Sequence, residues 1–320
     1  MLDCNARPAH FVRYAAGFVA TLLVAVSACR DSSDRTPSPA TPVTPAGPTE
    51  PVSPKPSSPA DPVARIFIAD ADGTNWRNVA VGDGAAWSPD GRQLLYHRGF
   101  SNMETPILGS LYVINTDGTG LRTLARGRWG SWSPDGKRIL FTDDNGLEII
   151  NADGTDQSLL LPRGFNSEAL LGPGKPAWSP DGTRIAFQTL DDAGEVPSQV
   201  YVMNADGSGL HRVSHGSRNY EAEPAWSPDG KELVYSWGGQ ALVITNADGG
   251  EPRTICRDCT IASRAKAVWW PDGFHIAFNV FNTTAIIDLR SLTVRPFLGD
   301  AYDLAISPDG SSIAFTSTRP

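Results

Sequence analysis

Two cysteines, Cys256 and Cys259, have the spacing that most directly suggests chemistry in this 320-residue sequence. In an exported protein such a C-x-x-C pair forms a local disulfide by default, whereas redox-active pairs normally begin a helix in a βαβ unit. Here the pair follows a strand-like run, and no further ligand with zinc-site spacing lies nearby. We therefore predict a disulfide, with free thiols and a metal or redox pair as the alternatives.

Other residue combinations give little support to catalysis. The sequence contains no G-x-S-x-G motif, the nucleophile signature of α/β-hydrolases. His211 and His215 would lie roughly 13 Å apart along a strand, too far to share a metal ion. Asp-rich segments such as 70–73 lack the further ligands of an EF-hand and fit turns better. We predict a non-enzymatic protein with no catalytic residue, no metal site and no cofactor.

Composition excludes two broad classes of protein. The chain has 27 Lys+Arg against 35 Asp+Glu, for a net charge of −8. A net-acidic chain without a basic stripe is a poor nucleic-acid binder. The sequence has one long apolar run, at its N-terminus, so a polytopic membrane protein is also excluded. Its 31 glycines and 26 prolines indicate many turns rather than a helical bundle.

A repeated pentad, Trp-Ser-Pro-Asp-Gly, organises residues 64–320. Proline presets φ for a turn and glycine accepts the left-handed conformation, so each copy predicts a hairpin. An interleaved Asn-Ala-Asp-Gly motif, with variants, predicts a second hairpin in each repeat. Each repeat of about 45 residues therefore contains four strands. Complete and degenerate copies of the pentad begin at Trp87, Trp132, Trp178, Trp226, Trp269 and Ile306.

This period predicts an all-β fold, a six-bladed β-propeller of four-stranded antiparallel blades. The chain enters the array at Arg65 with a second-hairpin motif and leaves it at Arg319 after a first-hairpin motif. The last blade is therefore predicted to combine two N-terminal and two C-terminal strands, which closes the ring and removes exposed edges. The recurrent tryptophan is predicted to pack between neighbouring blades.

The WSPDG segments, each followed by an apolar run and then by NADG, resemble the repeat of the TolB-type six-bladed propellers, which are WD-repeat-like. The same repeat occurs in the propeller halves of prolyl-oligopeptidase-like proteins. The resemblance covers about 64–320 and does not extend to the N-terminal α/β domain of TolB. It implies a protein-binding scaffold whose partner is an envelope protein or a peptidoglycan-associated lipoprotein.

Irregular loops are predicted on one end of the propeller, opposite the short hairpin turns. Variable loops on a rigid scaffold commonly carry binding residues, and aromatic and Arg side chains are the usual anchors of an interface. We therefore predict binding residues on this end, with Glu221 and Glu223 just before a strand that lines the central channel. The candidates are Arg128, Trp129, Arg163, Phe165, Arg218, Tyr220, Glu221, Glu223, Trp237 and Arg264.

The N-terminus has the features of an export signal. Two arginines precede an apolar stretch that is too short to span a membrane, and small residues follow it. The sequence Val-Ser-Ala-Cys ending at Cys29 resembles a bacterial lipobox, which implies lipidation of that cysteine. Residues 1–28 are thus a predicted lipoprotein signal peptide, and 29–63 a disordered Pro/Ser/Thr-rich linker. An ordinary signal peptide with a chance cysteine is the alternative.

Together these features predict a lipoprotein anchored to the cell envelope by its lipid alone, facing the periplasm from the outer membrane if the cell has two membranes. Its monomeric propeller would act as a non-catalytic scaffold for a protein partner. The alternative is a propeller that binds or processes a carbohydrate or another small ligand in its central funnel.

Overall fold

Each Ser-Pro-Asp-Gly segment forms a tight turn between two antiparallel strands, as predicted. In the first turn the Gly91 N–H donates to the Ser88 carbonyl oxygen (2.9 Å), and Gly91 has a φ of 70°. The Ser88 hydroxyl donates to the Asp90 carboxylate (2.6 Å) and accepts from the Gln93 N–H (2.9 Å). Glycine adopts the left-handed conformation at little steric cost, which explains the last residue of the motif.

The computed structural model describes residues 63–98, 109–164, 172–190, 198–214, 221–237, 241–250, 252–257, 259, 266–280 and 283–318. They belong to one compact unit, Ser57–Pro320, and their regular structure consists of strands. Within these ranges no helix is long and apolar enough to cross a membrane. The predicted signal peptide, and the predicted linker up to residue 62, lie outside the described residues.

The strands form six four-stranded antiparallel sheets, which we call blades 1 to 6. Blade 1 contains β3 (Asp83–Trp87), β4 (Gln93–Arg98), β5 (Ser110–Asn115) and β6 (Arg122–Arg126). Blade 2 contains β7 (Arg128–Trp132), β8 (Arg138–Thr142), β9 (Gly146–Asn151) and β10 (Ser158–Pro162). Blade 3 contains β11 (Gly172–Trp178), β12 (Arg184–Leu190), β13 (Val200–Asn204) and β14 (His211–Arg212). Blade 4 contains β15 (Glu221–Trp226), β16 (Glu232–Trp237), β17 (Ala241–Asn246) and β18 (Arg253–Arg257). Blade 5 contains β19 (Ala267–Trp269), β20 (His275–Val280), β21 (Thr283–Asp288) and β22 (Thr293–Gly299). Blade 6 contains β23 (Tyr302–Ile306), β24 (Ser312–Ser317), β1 (Arg65–Asp70) and β2 (Arg77–Val81).

Blade 6 closes the ring with strands from both ends of the array. β1 pairs with β24 in an unbroken antiparallel register from Arg65 opposite Ser317 to Asp70 opposite Ser312. The first strand of each blade contacts the first strands of both neighbouring blades, so β3, β7, β11, β15, β19 and β23 form the inner circle. The predicted six-bladed propeller, closed by its terminal strands, is confirmed.

The hydrophobic core consists of six clusters, one at each seam between adjacent blades. At the seam of blades 3 and 4, Trp226 packs against Val202 and Val213. Its indole N–H also donates to the Ala177 carbonyl oxygen of the preceding blade (3.0 Å). Because each fully buried aliphatic or aromatic side chain contributes roughly 1.5–3 kcal/mol, these seams hold the ring together. The predicted packing of the pentad tryptophan between blades is confirmed here.

The meander gives the propeller two different ends. In every blade the connections between strands one and two and between strands three and four lie at the same end, which we call the turn face. The other end, the loop face, carries the connections between strands two and three and those between blades. The innermost strand of each blade therefore starts at the loop face and ends in a Ser-Pro-Asp-Gly-type turn.

Candidate functional site

A β-bulge interrupts the start of the innermost strand in five of the six blades. The register of that strand shifts at one equivalent place, around the residue three positions before the pentad. A bulge leaves one residue outside the ladder and redirects its side chain. The residues at this position, in blade order, are Gly84, Trp129, Lys175, Glu223, Lys266 and Asp303, which we call the channel ring.

Four of these residues have a backbone conformation that disfavours side chains. Trp129, Lys175, Glu223 and Asp303 have φ values of 53°, 42°, 58° and 53°. The left-handed conformation costs an L-residue roughly 1–2 kcal/mol. Glycine, which avoids this cost, is present only in blade 1, at Gly84 with a φ of 65°. Strained backbone of this kind is concentrated at functional sites, so the channel ring is the primary candidate site.

The channel ring lines a cavity of about 440 Å³ on the axis of the propeller. All six ring residues border it, together with Asp83 and His97 of blade 1. The volume lies within the usual range for small-ligand sites, which is about 300–1,000 Å³. Because the ring lies at the start of the innermost strands, the cavity is near the loop face.

Charges alternate around four consecutive blades of the ring: Lys175, Glu223, Lys266 and Asp303. The Lys175 ammonium group forms an ion pair with the Glu223 carboxylate. The Glu223 side chain is only 4% exposed. Burial raises the pKa of Glu223, the Lys175 ammonium group opposes this shift, and the Asp303 carboxylate adds to it.

The second couple of the ring, Lys266 and Asp303, is arranged differently. Neither residue forms an ion pair or a side-chain hydrogen bond with another residue of the described ranges. Burial lowers the pKa of Lys266, whereas the carboxylates of Asp303 and Glu223 favour its charged form. The adjacent Tyr302 has its pKa raised to about 12, by burial first and then by the Asp83 and Asp303 carboxylates, so its hydroxyl stays protonated.

A second circle of polar side chains surrounds the channel ring. In the second strand of each blade, it is the residue that directly follows the phenylalanine or tyrosine. All six members are buried: His97, Thr142, Gln188, Ser236, Asn279 and Thr316. His97 Nε2 lies 2.7 Å from an Asp83 carboxylate oxygen. Gln188 Oε1 accepts a hydrogen bond from the Glu223 N–H of the next blade (2.6 Å). His97, Thr142 and Gln188 of this circle therefore contact innermost strands close to their bulges.

Trp129 presents an aromatic surface in the channel. The Arg128 guanidinium lies 4.0 Å from the centre of the Trp129 ring, and Lys175 Nζ lies 6.0 Å from it. Cations over an indole face are stabilised by its quadrupole. The channel thus combines an aromatic side with a charged side.

The structure brings only some of the predicted binding residues together. Trp129 and Glu223 line the channel, and Arg128 stacks on Trp129. Arg163, which is exposed, and Trp237 lie at strand ends on the loop face, away from the channel ring. Glu221 begins β15, but its side chain lies outside the description. Cys29, Phe165, Arg218, Tyr220 and Arg264 also lie outside the described residues.

Sequence reasoning missed five residues of the site. Asp83, His97, Lys175, Lys266 and Asp303 all border the channel. Aligning the six repeats on the first residue of the pentad finds most of them, because four of the six residues three positions earlier are charged. The same alignment shows a polar residue after the apolar run of each repeat, and in the first repeat this residue is His97.

The two cysteines form a disulfide in the structure. Cys256 is in β18, opposite Leu242, and both cysteines pack against the hydrophobic cluster at the seam of blades 4 and 5. The disulfide lies at the start of the connection that leads from blade 4 to Lys266. Among the described residues, no group of three or more His, Cys, Asp or Glu side chains is placed to hold a metal ion.

Comparison with known proteins gives structural matches alone. No protein-family model and no curated protein sequence matches this chain. A putative TolB from Agrobacterium tumefaciens is 18% identical with a TM-score of 0.62, over 81% of this chain and 99% of that chain. A gluconolactonase from Xanthomonas campestris is 17% identical with a TM-score of 0.55, over 82% and 98%. A chain of a nidogen/laminin complex is 11% identical with a TM-score of 0.57, over 79% and 98%.

These three proteins are of different kinds, and their identities to this chain are all below 20%. Such likenesses establish an architecture and leave the activity open, because one fold hosts many functions. The repeats, the six blades and the structural matches agree on that architecture. The chain therefore folds as a TolB-like six-bladed β-propeller.

Proposed function

We propose that the protein is a non-catalytic binding protein of the cell envelope, which recognises a partner protein at the loop-face end of its propeller. The observation that supports this most is the left-handed backbone of Trp129, Lys175, Glu223 and Asp303. A fold that needed only stability would have glycine at these positions, because each side chain costs roughly 1–2 kcal/mol there. The residues present at these positions instead line one cavity with charged and aromatic side chains.

The loop face offers further contacts of the kind that protein interfaces use. Arg163 is exposed and Trp237 is half-buried, and both lie at strand ends on this face. Arg128 stacks on Trp129 nearer the axis. Arginine and tryptophan are the residue types that most often carry the energy of an interface. The proposed partner is an envelope protein or a peptidoglycan-associated lipoprotein.

The N-terminal sequence supports a location in the envelope. A lipid on Cys29 would hold the chain at a membrane, and residues 30–62 contain ten prolines. Extended proline-rich chain spans about 3.1 Å per residue, so a linker of this composition and length would reach on the order of 100 Å. The propeller would therefore meet its partner well away from the anchoring membrane.

Photo-crosslinking in cells tests the choice of face. A photoreactive amino acid is placed at Arg163 or Trp237 on the loop face, and at Asp135 or Asp206 on the turn face as matched controls. We expect one discrete protein adduct from the loop-face positions and none from the turn-face positions. Equal adducts from both faces, or none from either, would contradict the docking role.

The anchor is tested by replacing Cys29 with serine. The wild-type protein is expected in the membrane fraction, and Cys29→Ser is expected to leave it, since a single substitution removes the attachment atom for the lipid. Cys4→Ser is the control, because Cys4 precedes the apolar run of the signal. An unchanged membrane fraction for Cys29→Ser would favour an ordinary signal peptide and another mode of attachment.

A second candidate function is binding or processing of a carbohydrate or another small ligand in the channel. The cavity of about 440 Å³, with the Trp129 ring on one side and carboxylates on the other, favours it. One structural match is a gluconolactonase, which shows that the architecture can host sugar chemistry in another protein. Saturable binding of a glycan or a sugar lactone, abolished by Trp129→Ala, would support this candidate over docking of a protein.

A further inference from the structure

The channel contains two couples of a lysine and an acidic residue, and the two couples are arranged differently. Lys175 and Glu223 are on adjacent blades, and so are Lys266 and Asp303. The first couple is closed by an ion pair. In the second couple, neither side chain has a charged partner in the described part of the chain, although the carboxylate of Asp303 acts electrostatically on Lys266. The same ring thus presents one satisfied pair of charges and one open pair.

The polar groups behind the two couples differ in the same way. Gln188, behind the closed couple, accepts a hydrogen bond from the Glu223 backbone. Asn279 is equivalent to Gln188 in blade 5, is 6% exposed, and has neither its amide oxygen nor its amide nitrogen bonded within the described residues. The hydroxyl of Thr316, in blade 6, is likewise buried without a partner in those ranges. Buried polar groups in this state are rare and call for an explanation.

The position of Asn279 relates it to the open couple. Its backbone N–H donates to the Lys266 carbonyl oxygen (3.2 Å). Its side chain points to the same side of β20 as Ala277, which packs in the seam of blades 5 and 6. Asp303 is at the bulge of the blade 6 strand that borders the same seam. Within the channel ring and the polar circle behind it, the charged and polar side chains that lack partners in the described residues therefore belong to blades 5 and 6.

We propose that this side of the channel binds a zwitterionic amino acid or short peptide, whose carboxylate pairs with Lys266 and whose ammonium group pairs with Asp303. The inference rests on the proposed role of the channel as a recognition site. A ligand with both charges can pair with both residues at once. An anion alone would leave Asp303 without a partner of opposite charge, and a cation alone would leave Lys266 without one. The unbonded amide of Asn279 lies behind the open couple and does not itself border the cavity.

Calorimetric titration of the full-length protein in detergent micelles tests the proposal. The probes are alanine, alanyl-alanine, N-acetyl-alanyl-alanine and alanyl-alanine amide, which separate the free amino acid from the peptide and each charge from the other. We expect a zwitterionic probe to bind, and each blocked dipeptide to bind roughly tenfold to a hundredfold more weakly, as for other charge-assisted contacts.

Two variants assign the charges to residues. Lys266→Met should weaken the free dipeptide and remove the penalty of its C-terminal amide, while Asp303→Asn should do the same for the acetylated end. Lys231→Met and Asp248→Asn, on the turn face, are matched controls that should leave binding unchanged. The wild-type comparison of probes stands even if a channel variant fails to fold.

Equal affinities for free and blocked dipeptides, or no binding of any probe, would overturn this inference. Binding that survives both channel variants would do so too. A loop-face crosslink to a protein partner without amino-acid binding would overturn the ligand assignment and leave the docking role standing. Loss of the crosslink with retained dipeptide binding would have the opposite meaning, so the two proposals fail separately.

Discussion

The backbone N–H of Glu223 donates a 2.6 Å hydrogen bond to Gln188 Oε1, which belongs to the neighbouring blade. The bond crosses the seam between blades 3 and 4 at the bulge that directs Glu223 into the channel. A bulged residue has lost its ladder partner, and a buried N–H without an acceptor is costly. Gln188 supplies that acceptor and so supports the left-handed backbone at Glu223.

Replacing Gln188 with leucine should therefore destabilise the fold. The variant leaves the Glu223 N–H without its acceptor inside the seam, which should lower the free energy of unfolding by about 1–3 kcal/mol. Thr142→Val is the control, because the Thr142 hydroxyl makes a longer bond (3.3 Å) to a carbonyl oxygen of Arg128. Urea unfolding measures both. A Gln188→Leu protein that unfolds at the wild-type midpoint would show that the bond does not support the bulge.

Removal of Lys175 should reveal the cost of burying the Glu223 carboxylate. Lys175→Met breaks a buried ion pair on one side only, a change that typically costs about 3–5 kcal/mol at neutral pH. The double variant Lys175→Met/Glu223→Gln has no buried charge at this place and should recover most of the loss. A double variant as unstable as the single one would assign the loss to packing rather than to charge.

The same variant should have a characteristic pH dependence. Burial raises the folded-state pKa of Glu223, and without Lys175 only the weaker influence of the Lys266 ammonium group opposes the shift. The folded state then binds a proton more tightly than the unfolded state, so stability is regained as pH falls through the raised pKa. Recovery is complete below the unfolded value of about 4.3. Unfolding at several pH values between 4.5 and 8 measures this, and a constant deficit would contradict it.

The fold is predictable from the sequence because its signal is local. Ser88, Asp90 and Gly91 each have a role within one turn, and that turn chemistry recurs in the repeats. The degenerate copy that begins at Trp269 also keeps the turn. Trp270 replaces the serine, but its carbonyl oxygen still accepts a hydrogen bond from the Gly273 N–H (3.0 Å). A motif that folds through contacts between near neighbours can be read without tertiary information.

The channel site could be predicted only in part. Its residues occupy equivalent positions in the six blades, but they are of different types, so no repeated residue marks them. Trp129 and Glu223 were predicted as loop-face residues, whereas Lys175 and Asp303 were not, although all four are at one ring position. The bulge that unites them depends on support across a seam, as between Gln188 and Glu223, and sequence patterns do not show such contacts.

Acid should weaken the propeller through its turn carboxylates. The pKa of Asp181 is lowered to about 2, by the Ser179 hydroxyl first and then by the Thr183 N–H. A folded-state pKa below the unfolded value means that the stabilisation is fully present above about 3.9 and is lost as pH falls towards 2. Ser307 acts in the same way on Asp309, whose pKa is also about 2.

Ser179→Ala should raise the pKa of Asp181 towards its ordinary value, as seen in an NMR titration of the carboxylate. It should also cost about 1 kcal/mol at pH 7, with a smaller deficit at pH 2, where the carboxyl group is about half protonated in the wild type and mostly protonated in the variant. Ser291→Ala, at an exposed hydroxyl that contacts Thr293 and no carboxylate, is the control. An unchanged titration of Asp181 would show that the hydroxyl does not hold its pKa down.

Substitutions of Asp303 test whether the left-handed backbone of the channel ring costs stability. Its φ of 53° suits glycine, and its side chain forms no hydrogen bond or ion pair with another described residue. Both Asp303→Gly and Asp303→Ala remove the carboxylate that favours charged Lys266, but only alanine keeps a β-carbon in the left-handed conformation, so the glycine variant should have the higher free energy of unfolding by about 1 kcal/mol. Thermal and urea unfolding compare the two variants. If glycine is no more stable than alanine at this position, the left-handed backbone carries no cost, and strain no longer marks the channel ring as the functional site.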